Sequence, residues 1–345
     1  MSDISLTSLS SSEVAQWVEG ACYICNKTEG RLHRALEMMF GSRQEFAYFE
    51  CSSCGCLHLI QPPTDIGVYY PSHYYAYASP DSPSVAPKSR IRRWAYDKRN
   101  RAQLLGSSGP WGLAARIRPR PDLARTASML SPIPSKSLKL RILDVGCGSG
   151  TLLRLLNSVG FESLTGVDPF LPTDVEISSG CRIFAGDLES LVGRQFDLIM
   201  FHHSLEHLPN QLETLRIVQR MLSPQGVCLI CIPLAASEPW KKYGTDWVEL
   251  DAPRHYYLHS PRSLEIVACR ADLEVYHTAY ESTAFTYWGS ELYRRNTPLY
   301  NLAERSWVNP HTVFSECEMD EFRKMASQDN YRGAAGRGAF YLRKC

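Results

Sequence analysis

The sequence predicts an α/β protein with a doubly wound, mainly parallel sheet and a smaller N-terminal unit. Three observations lead to this prediction. Strand-like and helix-like segments alternate from residue 139 onward, a glycine-rich turn follows the first of these strands, and two Cys-x-x-Cys pairs stand near the N-terminus. Such alternation is typical of a sheet with helices on both faces. With 345 residues, the chain has room for one large domain and one small one.

The composition is that of an ordinary globular protein. Hydrophobic residues make up 44% and charged residues 21% of the chain, which excludes a disordered or fibrous protein. The longest apolar run, around "VCLICIPLAA", is about half of the ~20 residues that a membrane helix needs. The N-terminal residues lack the basic region and apolar core of a secretory signal. We therefore expect a cytoplasmic protein, either free or attached to a membrane periphery.

The two Cys-x-x-Cys pairs predict a structural zinc site. Paired knuckles of this spacing present four thiolates in the tetrahedral arrangement that zinc prefers. The residue after each second cysteine often has a positive φ, and Asn26 and Gly55 suit that conformation. Cys56 and His58 are nearby competitors as ligands. We expect residues 1–70 to form a zinc-knuckle domain whose ligands are Cys22, Cys25, Cys51 and Cys54.

Residues 71–138 are predicted to be a basic linker with helical parts. An aromatic and then Pro/Ser-rich stretch precedes a basic helix, "RIRRWAYDKRNRAQLL", which "GSSGPWG" ends. Between Lys88 and Arg141 there are fourteen basic and two acidic residues, a net charge of +12 in a chain whose total is +1. This segment predicts an anionic partner: a pyrophosphate-linked sugar, a lipid surface or nucleic acid. A solvated basic face is the alternative.

Residues 139–345 are predicted to form the large domain. The strand candidates are "LRILDVG", "LTGVDPF", "RIFAGDL", "FDLIMFHH" and "VCLICIPL", with "GRGAFYLRK" as a final antiparallel strand. The helix candidates are "SGTLLRLLNSVG", "QLETLRIVQRMLSPQG" and "SPRSLEIVACRAD". Cys228 and Cys231 form a third Cys-x-x-Cys pair, but in a strand they face opposite ways, so both are expected in the core. An insertion at about 283–331 is expected to help bind the substrate.

The turn after the first strand carries an acid and three glycines, Asp144, Gly146, Gly148 and Gly150. Its Gly-x-Gly-x-Gly spacing is one residue shorter than a dinucleotide fingerprint, and the Gly-Lys-Ser/Thr ending of a Walker loop is absent. An acid beside a phosphate would be repelled, so a ligand with a cationic amine fits better. On this motif the chain resembles the class I S-adenosylmethionine (SAM)-dependent methyltransferases.

The resemblance implies a Rossmann-like, seven-stranded methyltransferase sheet and SAM as cofactor. Asp144 and the three glycines would hold the methionine part of SAM. Asp168, which ends the second strand, resembles the acid that binds the ribose hydroxyls. Asp187 resembles the residue that reads the adenine amino group, with Leu188 beside the ring. His202 ends the fourth strand, whose following loop closes over the sulfonium.

A histidine is predicted to be the general base, since imidazole has an ordinary pKa of about 6.5. His255, in "APRHYYLHS", is the first candidate because it follows the fifth strand at the ligand-binding rim. His207 and His203 come next, in the loop after the fourth strand. Arg254 is expected to hold an acceptor phosphate or carboxylate. His203, Glu206 and His207 also fit an inverted zinc-protease pattern, but they directly follow a strand and not the helix that this pattern needs.

The zinc-knuckle tail and "DAPRHYYLHSPRSLE" are similar to a bacterial subgroup of methyltransferases in sugar, surface-polysaccharide and secondary-metabolite pathways. This similarity implies O-methylation of a sugar or a related small-molecule or glycan acceptor, including phosphate-bearing ones. The alternatives are a deoxysugar C-methyltransferase, whose long C-terminal domain is missing, and an RNA methyltransferase, whose Asn/Asp-Pro-Pro-aromatic motif is replaced by "HHSL". An inactive zinc-bearing binding or assembly protein is the non-enzymatic alternative.

Overall fold

The structure is a computed structural model that describes residues 21–71 and 89–345. The first 20 residues of the predicted zinc-knuckle domain and most of the predicted aromatic and Pro/Ser-rich linker lie outside the described residues. Across the described ranges, no helix has both the length and the apolar character needed to cross a bilayer.

The N-terminal unit is a small antiparallel sheet. Its own strands are β1 (Gly30–Leu36), β2 (Glu45–Cys51) and β3 (Leu57–Leu59), and a 3₁₀ turn follows at Ile66–Tyr69. A fourth strand, β10 (Tyr257–Leu258), comes from far along the chain and pairs antiparallel with β3. The predicted zinc-knuckle region therefore shares a sheet with the large domain.

Three helices connect the N-terminal unit to the large sheet: α1 (Arg90–Leu105), α2 (Pro110–Ile117) and α3 (Pro121–Leu130). The predicted basic helix is confirmed as α1. It ends at Gly106, whose φ of 65° is the left-handed conformation that glycine adopts at helix ends. Proline begins both α2 and α3, where its missing N–H costs no hydrogen bond.

The large sheet has eight strands. In chain order they are β4 (Arg141–Val145), β5 (Ser163–Asp168), β6 (Val175–Ser178), β7 (Cys181–Ala185), β8 (Phe196–His202), β9 (Leu222–Pro233), β11 (Leu273–Tyr280) and β14 (Arg337–Lys344). Their order across the sheet is β11-β14-β9-β8-β4-β5-β7-β6. The strands β4, β5, β7, β8 and β9 pair in parallel, and β14 is antiparallel to both neighbours, as predicted for "GRGAFYLRK". The additional strand β6 is a short antiparallel edge that was not predicted, because four residues are too few for a recognisable pattern.

The remaining helices are α4 (Thr151–Val159), α5 (Gln211–Met221), α6 (Glu238–Tyr243), α7 (Pro261–Cys269), α8 (Phe285–Arg294) and α9 (Glu316–Arg332). Gly160 ends α4 as predicted, with a φ of 106°. The predicted Ser-Pro start of α7 is a capping box between Ser260 and Ser263. The predicted end of α5 was too late, because "LSPQG" already belongs to β9, which pairs with β8 from Leu222 onward.

The large sheet and the N-terminal unit have separate hydrophobic cores. Cys228 and Cys231 are both fully buried in β9 and belong to different core clusters, which confirms that they are core cysteines on opposite sides of the strand. The second core joins the N-terminal sheet to α8, α9 and the segment between β9 and β10; Tyr48, Trp247 and Tyr287 are among its buried side chains. The predicted insertion therefore packs against the N-terminal unit. It also contains a small hairpin, β12 (Tyr300–Asn301) with β13 (Ser306–Trp307).

The connections reverse direction between β4 and β8. From β4 the chain proceeds to β5 and β7 on one side, and then returns to β8 and β9 on the other. In an open α/β sheet, ligands bind at such a reversal, beyond the carboxyl ends of the strands. The fold therefore predicts a binding site at the ends of β4, β5 and β8.

Candidate active site

A cavity of about 980 Å³ lies at this reversal point. Its walls come from the turn after β4, the ends of β5 and β8, helix α3, the N-terminal unit and the predicted insertion. The insertion contributes Phe285, Trp288, Leu299, Trp307 and Val308. The predicted insertion therefore forms part of the cavity wall, and its role in substrate binding stays a prediction.

Backbone conformation explains the glycines of the turn after β4. Gly146 and Gly148 line the cavity, with φ of 72° and 54°. A Cβ atom at Gly146 would lie 2.5 Å from the Cβ of Ser204, so only glycine fits there. Gly150 has a different role: it is not among the lining residues, and a Cβ there would lie 2.3 Å from Cδ1 of Ile183 on β7. It allows close packing of α4 on the sheet.

Two buried acids stand behind the glycines. Asp144 is 3% exposed, and its Oδ1 has no hydrogen-bond partner among the described residues. Burial, and then repulsion by Asp168, raise the pKa of Asp144 to about 7. Asp168 accepts hydrogen bonds from the N–H groups of Gly148 at 2.8 Å and Phe170 at 3.0 Å. Burial raises the pKa of Asp168 as well.

A buried acid with an unpaired oxygen at a cavity fits a ligand that brings positive charge and hydrogen-bond donors. SAM has both, in its ammonium and sulfonium groups and in its ribose hydroxyls. The residues present therefore fit the predicted cofactor. Asp144 would face the cationic part and the Gly146–Gly148 turn would allow close backbone approach.

Of the other predicted cofactor residues, some line the cavity and some do not. His202, at the end of β8, lines the cavity. Asp187 is exposed, and Leu188 is packed into the hydrophobic core; neither is among the lining residues. Their contacts with the adenine ring stay predictions.

All three predicted base candidates line the same cavity, although His255 comes from a different loop than His203 and His207. The rings of His207 and His255 are 4.7 Å apart. Glu206 lies beside them, 1% exposed, and neither of its carboxylate oxygens has a hydrogen-bond partner in the described part of the chain. The structure thus gathers the predicted histidines around a buried acid.

Hydrogen bonds fix the protonation pattern of His255. Its Nδ1 lies 2.9 Å from the carbonyl oxygen of Glu249, and because a carbonyl only accepts, Nδ1 carries the proton. The unprotonated Nε2 lies 3.8 Å from Oδ2 of Asp251. That carboxylate is placed to stabilise an imidazolium once Nε2 has taken a proton.

The pKa of His255 differs from the near-neutral value expected from the sequence. Burial, followed by the neighbouring His207 ring, lowers it to about 4. Burial and the charge of Arg337 lower the pKa of His203 to about 3. His203 also has a φ of 58°, uncommon for a residue with a side chain and frequent at functional sites. Both imidazoles are neutral at pH 7 and able to accept a proton.

The prediction that Arg254 holds an acceptor phosphate or carboxylate is wrong. This side chain is fully buried. Its Nη2 donates to Oδ1 of Asp251 at 2.6 Å and to Oε1 of Glu37 at 3.0 Å, and Nη1 donates to the carbonyl of Tyr69 at 3.3 Å. Its own carbonyl accepts from Nδ1 of His207 at 3.0 Å. Arg254 therefore has a positioning role beneath both histidines.

Sequence reasoning missed the part that the N-terminal unit plays here. Glu37 pairs with Arg254, the hydroxyl of Tyr48 donates to the carbonyl of His255 at 2.9 Å, and the hydroxyl of Tyr70 lies 2.9 Å from Nδ1 of His207. No local motif marks these residues. The sequence feature that could have indicated this role is the aromatic stretch after the second knuckle. It was predicted to belong only to the zinc-knuckle domain.

The four knuckle cysteines come together at the other end of the N-terminal unit. Their sulfur atoms all lie within 4.8 Å of one another. The Sγ atoms of Cys22 and Cys54 are 3.6 Å apart, and those of Cys25 and Cys51 are 3.5 Å apart, close to the roughly 3.8 Å edge that tetrahedral Zn–S bonds of about 2.3 Å imply. Asn26 and Gly55 have φ of 59° and 72°, which confirms the predicted turns. The competitors Cys56 and His58 lie outside this group of four.

We predict one zinc ion per chain at this site. A Cys22→Ser variant should lose the metal and part of its stability, because one thiolate of four is removed from a structural centre. Metal analysis and thermal unfolding measure both effects. Cys317→Ser, at an exposed cysteine of α9, is the matched control. Absence of zinc from the parent, or a Cys22→Ser variant with unchanged metal content and folding, would contradict the prediction.

The strand order and the cavity at the reversal point define a Rossmann-like fold with a ligand site at its acidic, glycine-backed wall. Residues 113–278 match a family model described as a methyltransferase domain. This range contains Asp144, the three glycines, Asp168 and all three histidines. This part of the chain is therefore similar to a methyltransferase domain.

Curated relatives match over part of their length. The chain is 32% identical over 96 residues to the ubiquinone biosynthesis O-methyltransferase of Pseudomonas syringae pv. tomato, covering 25% of this chain and 41% of the relative. It is 26% identical over 173 residues to the protein of the same name from Bartonella quintana, covering 48% and 67%. The chain thus spans about two fifths of the Pseudomonas relative. Among solved structures, it is similar to a SAM-dependent methyltransferase from Archaeoglobus fulgidus, with 18% identity, coverage of 68% and 99%, and a TM-score of 0.40.

Two substitutions test the cofactor site. Asp168→Ala should weaken SAM binding by about 1–3 kcal/mol, the scale of losing hydrogen bonds to a charged group. Gly146→Val should abolish binding, because its side chain would collide with Ser204. Calorimetric titration with SAM measures both, and Asp320→Ala, which removes an exposed carboxylate from α9, is the control. Parent-like affinity in both variants would refute this site.

Proposed function

We propose that this chain is a SAM-dependent methyltransferase that methylates a hydroxyl oxygen of a sugar or a related small-molecule or glycan acceptor. The observation that carries the proposal is the cavity itself. One wall has the buried acids Asp144 and Asp168 beside the glycine turn, and the same cavity is lined by His255, whose Nε2 is unprotonated. A cofactor wall and a proton acceptor in one cavity are what methyl transfer to a hydroxyl requires.

In the proposed reaction, different residues bind the cofactor, align the acceptor and accept the proton. When bound, SAM supplies a methyl group that its sulfonium activates. The cavity walls align the acceptor oxygen with that methyl group and exclude water. As the new C–O bond forms, Nε2 of His255 accepts the hydroxyl proton, and Asp251 stabilises the resulting imidazolium. Nδ1 of His207 donates to the carbonyl of Arg254, which holds the His207 ring against that of His255.

The acceptor side of the cavity is rich in aromatic side chains. Tyr70 and Phe170 stack at 5.2 Å between ring centroids, and Tyr256, Phe285 and Trp288 also line the space. Aromatic faces pack well against the apolar faces of flat rings, and Tyr and Trp add a polar edge. These walls support a cyclic acceptor of small size, such as a sugar ring.

A phenolic ring is the second acceptor class that the cavity favours. The aromatic lining also suits a phenolic ring, and the curated relatives are named ubiquinone biosynthesis O-methyltransferases. A phenol loses its proton more readily than a sugar hydroxyl does, so it would depend less on His255. The depressed pKa of His255, which makes it a weaker base, favours this second class.

Labelled SAM offered with nucleotide sugars, glycolipid extracts and dihydroxylated phenols tests the proposal. We expect transfer of label to a hydroxyl oxygen in one of these acceptor classes, located by mass spectrometry of the product. The Gly146→Val variant, which should not bind SAM, is the control for non-enzymatic labelling. Label found on carbon would favour a C-methyltransferase, and label found in RNA would favour an RNA methyltransferase. A parent protein that binds no SAM would indicate the binding or assembly role instead.

A further inference from the structure

Helices α1 and α2 carry an unusual combination of exposed apolar and basic side chains. Ile91 is 78% exposed, Trp94 55%, Leu113 60% and Ile117 76%. The basic residues that are exposed around them are Arg92, Arg93, Lys98, Arg116 and Arg118. These nine residues are named the α1–α2 surface below.

The apolar residues of this surface lie on two touching helices. Ile91 and Trp94 are three residues apart on α1, and Leu113 and Ile117 are four apart on α2, so each pair shares one helical face. The ring of Trp94 meets that of Trp111 edge to face, with centroids 5.5 Å apart, and this contact joins the helices. Single exposed apolar residues are common, but four on two contacting helices are more than a scatter and indicate an interaction site.

The charge of the region selects an anionic partner. Asp97 is the sole acid between residues 89 and 120. Arg120 is turned toward the protein, where its Nη1 donates to the hydroxyl of Tyr96 at 2.6 Å and its side chain pairs with Asp122. The exposed arginines and Lys98 have no comparable acid in this segment to neutralise them, so the surface has a strong positive potential.

The aliphatic side chains distinguish a lipid surface from nucleic acid. Phosphate groups of nucleic acids are bound by basic side chains and other hydrogen-bond donors, and unpaired bases stack on aromatic rings. Neither of these two contacts uses exposed isoleucine or leucine. At an anionic bilayer, by contrast, Ile, Leu and Trp enter the boundary between headgroups and acyl chains, and Arg and Lys attract the lipid phosphates.

We propose that the α1–α2 surface docks on an anionic lipid bilayer. Helix α3 follows α2 after three residues and contributes Asp122, Arg125, Thr126 and Met129 to the cavity wall. Docking would therefore hold the cavity beside the lipid surface, within reach of an acceptor carried there. The docking step is independent of the proposed methyl transfer, and binding to vesicles is measured without any acceptor.

Vesicle flotation with the full chain tests the docking. The parent should float with vesicles of phosphatidylcholine and phosphatidylglycerol, and it should not float with vesicles of phosphatidylcholine alone. Binding to the anionic vesicles should decrease as the salt concentration is raised. Ile91→Ser with Leu113→Ser and Ile117→Ser should weaken partition about ten-fold or more, and Arg92→Glu with Arg93→Glu should do the same. Leu302→Ser and Lys324→Glu, exposed residues of the insertion, are the matched controls and should float like the parent.

Calorimetric SAM affinity checks that each variant is folded, since none of the substituted residues lines the cavity. Failure of the parent to float with anionic vesicles would overturn the proposal. So would normal flotation of the triple serine variant, because electrostatic attraction alone would then explain binding. Salt-sensitive binding of the parent to a labelled single-stranded RNA, without flotation, would assign the surface to nucleic acid instead.

Discussion

Replacing His255 with alanine is expected to lower turnover by roughly 10²–10⁴-fold, the usual contribution of a general base, with SAM affinity unchanged. The reason is that His255 lines the cavity with an unprotonated Nε2, because Nδ1 is held by the Glu249 carbonyl, and Asp251 lies close to Nε2. His255→Gln should be equally slow, because an amide fills the space but takes no proton. Turnover measured with the true acceptor, beside calorimetric SAM binding, checks both variants.

The pH dependence adds a second readout. Because the folded-state pKa of His255 is about 4, Nε2 stays free to accept a proton well below pH 6.5, and the turnover assigned to it should fall only as pH approaches 4. The same lowered pKa means that neutral His255 stabilises the fold at neutral pH, and this contribution is lost as pH falls from about 6.5 toward 4.

The matched control is His277→Ala, on the exposed side of β11. If His255→Ala keeps turnover within a few-fold of the parent, His255 only orders the loop, and His207 becomes the candidate base. A phenolic acceptor would give an intermediate result, since part of its ionisation needs no base.

Arg254→Met should lower the free energy of unfolding by about 3–5 kcal/mol, the cost of breaking a buried ion pair. The substitution keeps most of the apolar volume but leaves Glu37 and Asp251 buried without their cation. It also frees the loop whose carbonyl orients His207, so turnover should fall as well. Denaturant unfolding and a kinetic assay measure the two effects.

A double variant separates charge from packing. Arg254→Met combined with Glu37→Gln removes one of the stranded charges and should recover part of the lost stability. Arg343→Met, which breaks an exposed pair with Glu274, should cost only about 0–1 kcal/mol. Equal costs for Arg254→Met and Arg343→Met would show that the buried network does not stabilise the fold.

The positions of the glycine turn and of the acids in the candidate cofactor site were predictable from the sequence because their determinants are local. The turn from Asp144 to Gly150 directly follows a strand. The positive φ angles that this turn needs are those that glycine adopts readily, so its glycines predict its conformation. Asp168 is the last residue of β5. Because β4 and β5 pair in parallel, the end of β5 lies beside the glycine turn that follows β4.

The acceptor half was less predictable because its contacts join residues that are far apart in the chain. Nothing near Arg254 indicates that Glu37 lies against it, and an arginine beside a histidine is as compatible with ligand binding as with burial. The pairing of β10 with β3 rests on two residues, Tyr257 and Leu258, too few for a strand pattern. The lowered pKa of His255 depends on burial, which the sequence around it does not reveal.

The shared sheet has a consequence for modularity. Because β10 completes the N-terminal sheet and leads directly from Arg254 and His255, the loop that bears the predicted base is built partly on another section of the chain. Cutting at residue 70 would expose the edge of β10 and leave Arg254 without Glu37. In chimeras with related enzymes, residues 21–71 and 251–260 should therefore be exchanged together. Grafting either segment alone is expected to give an inactive hybrid.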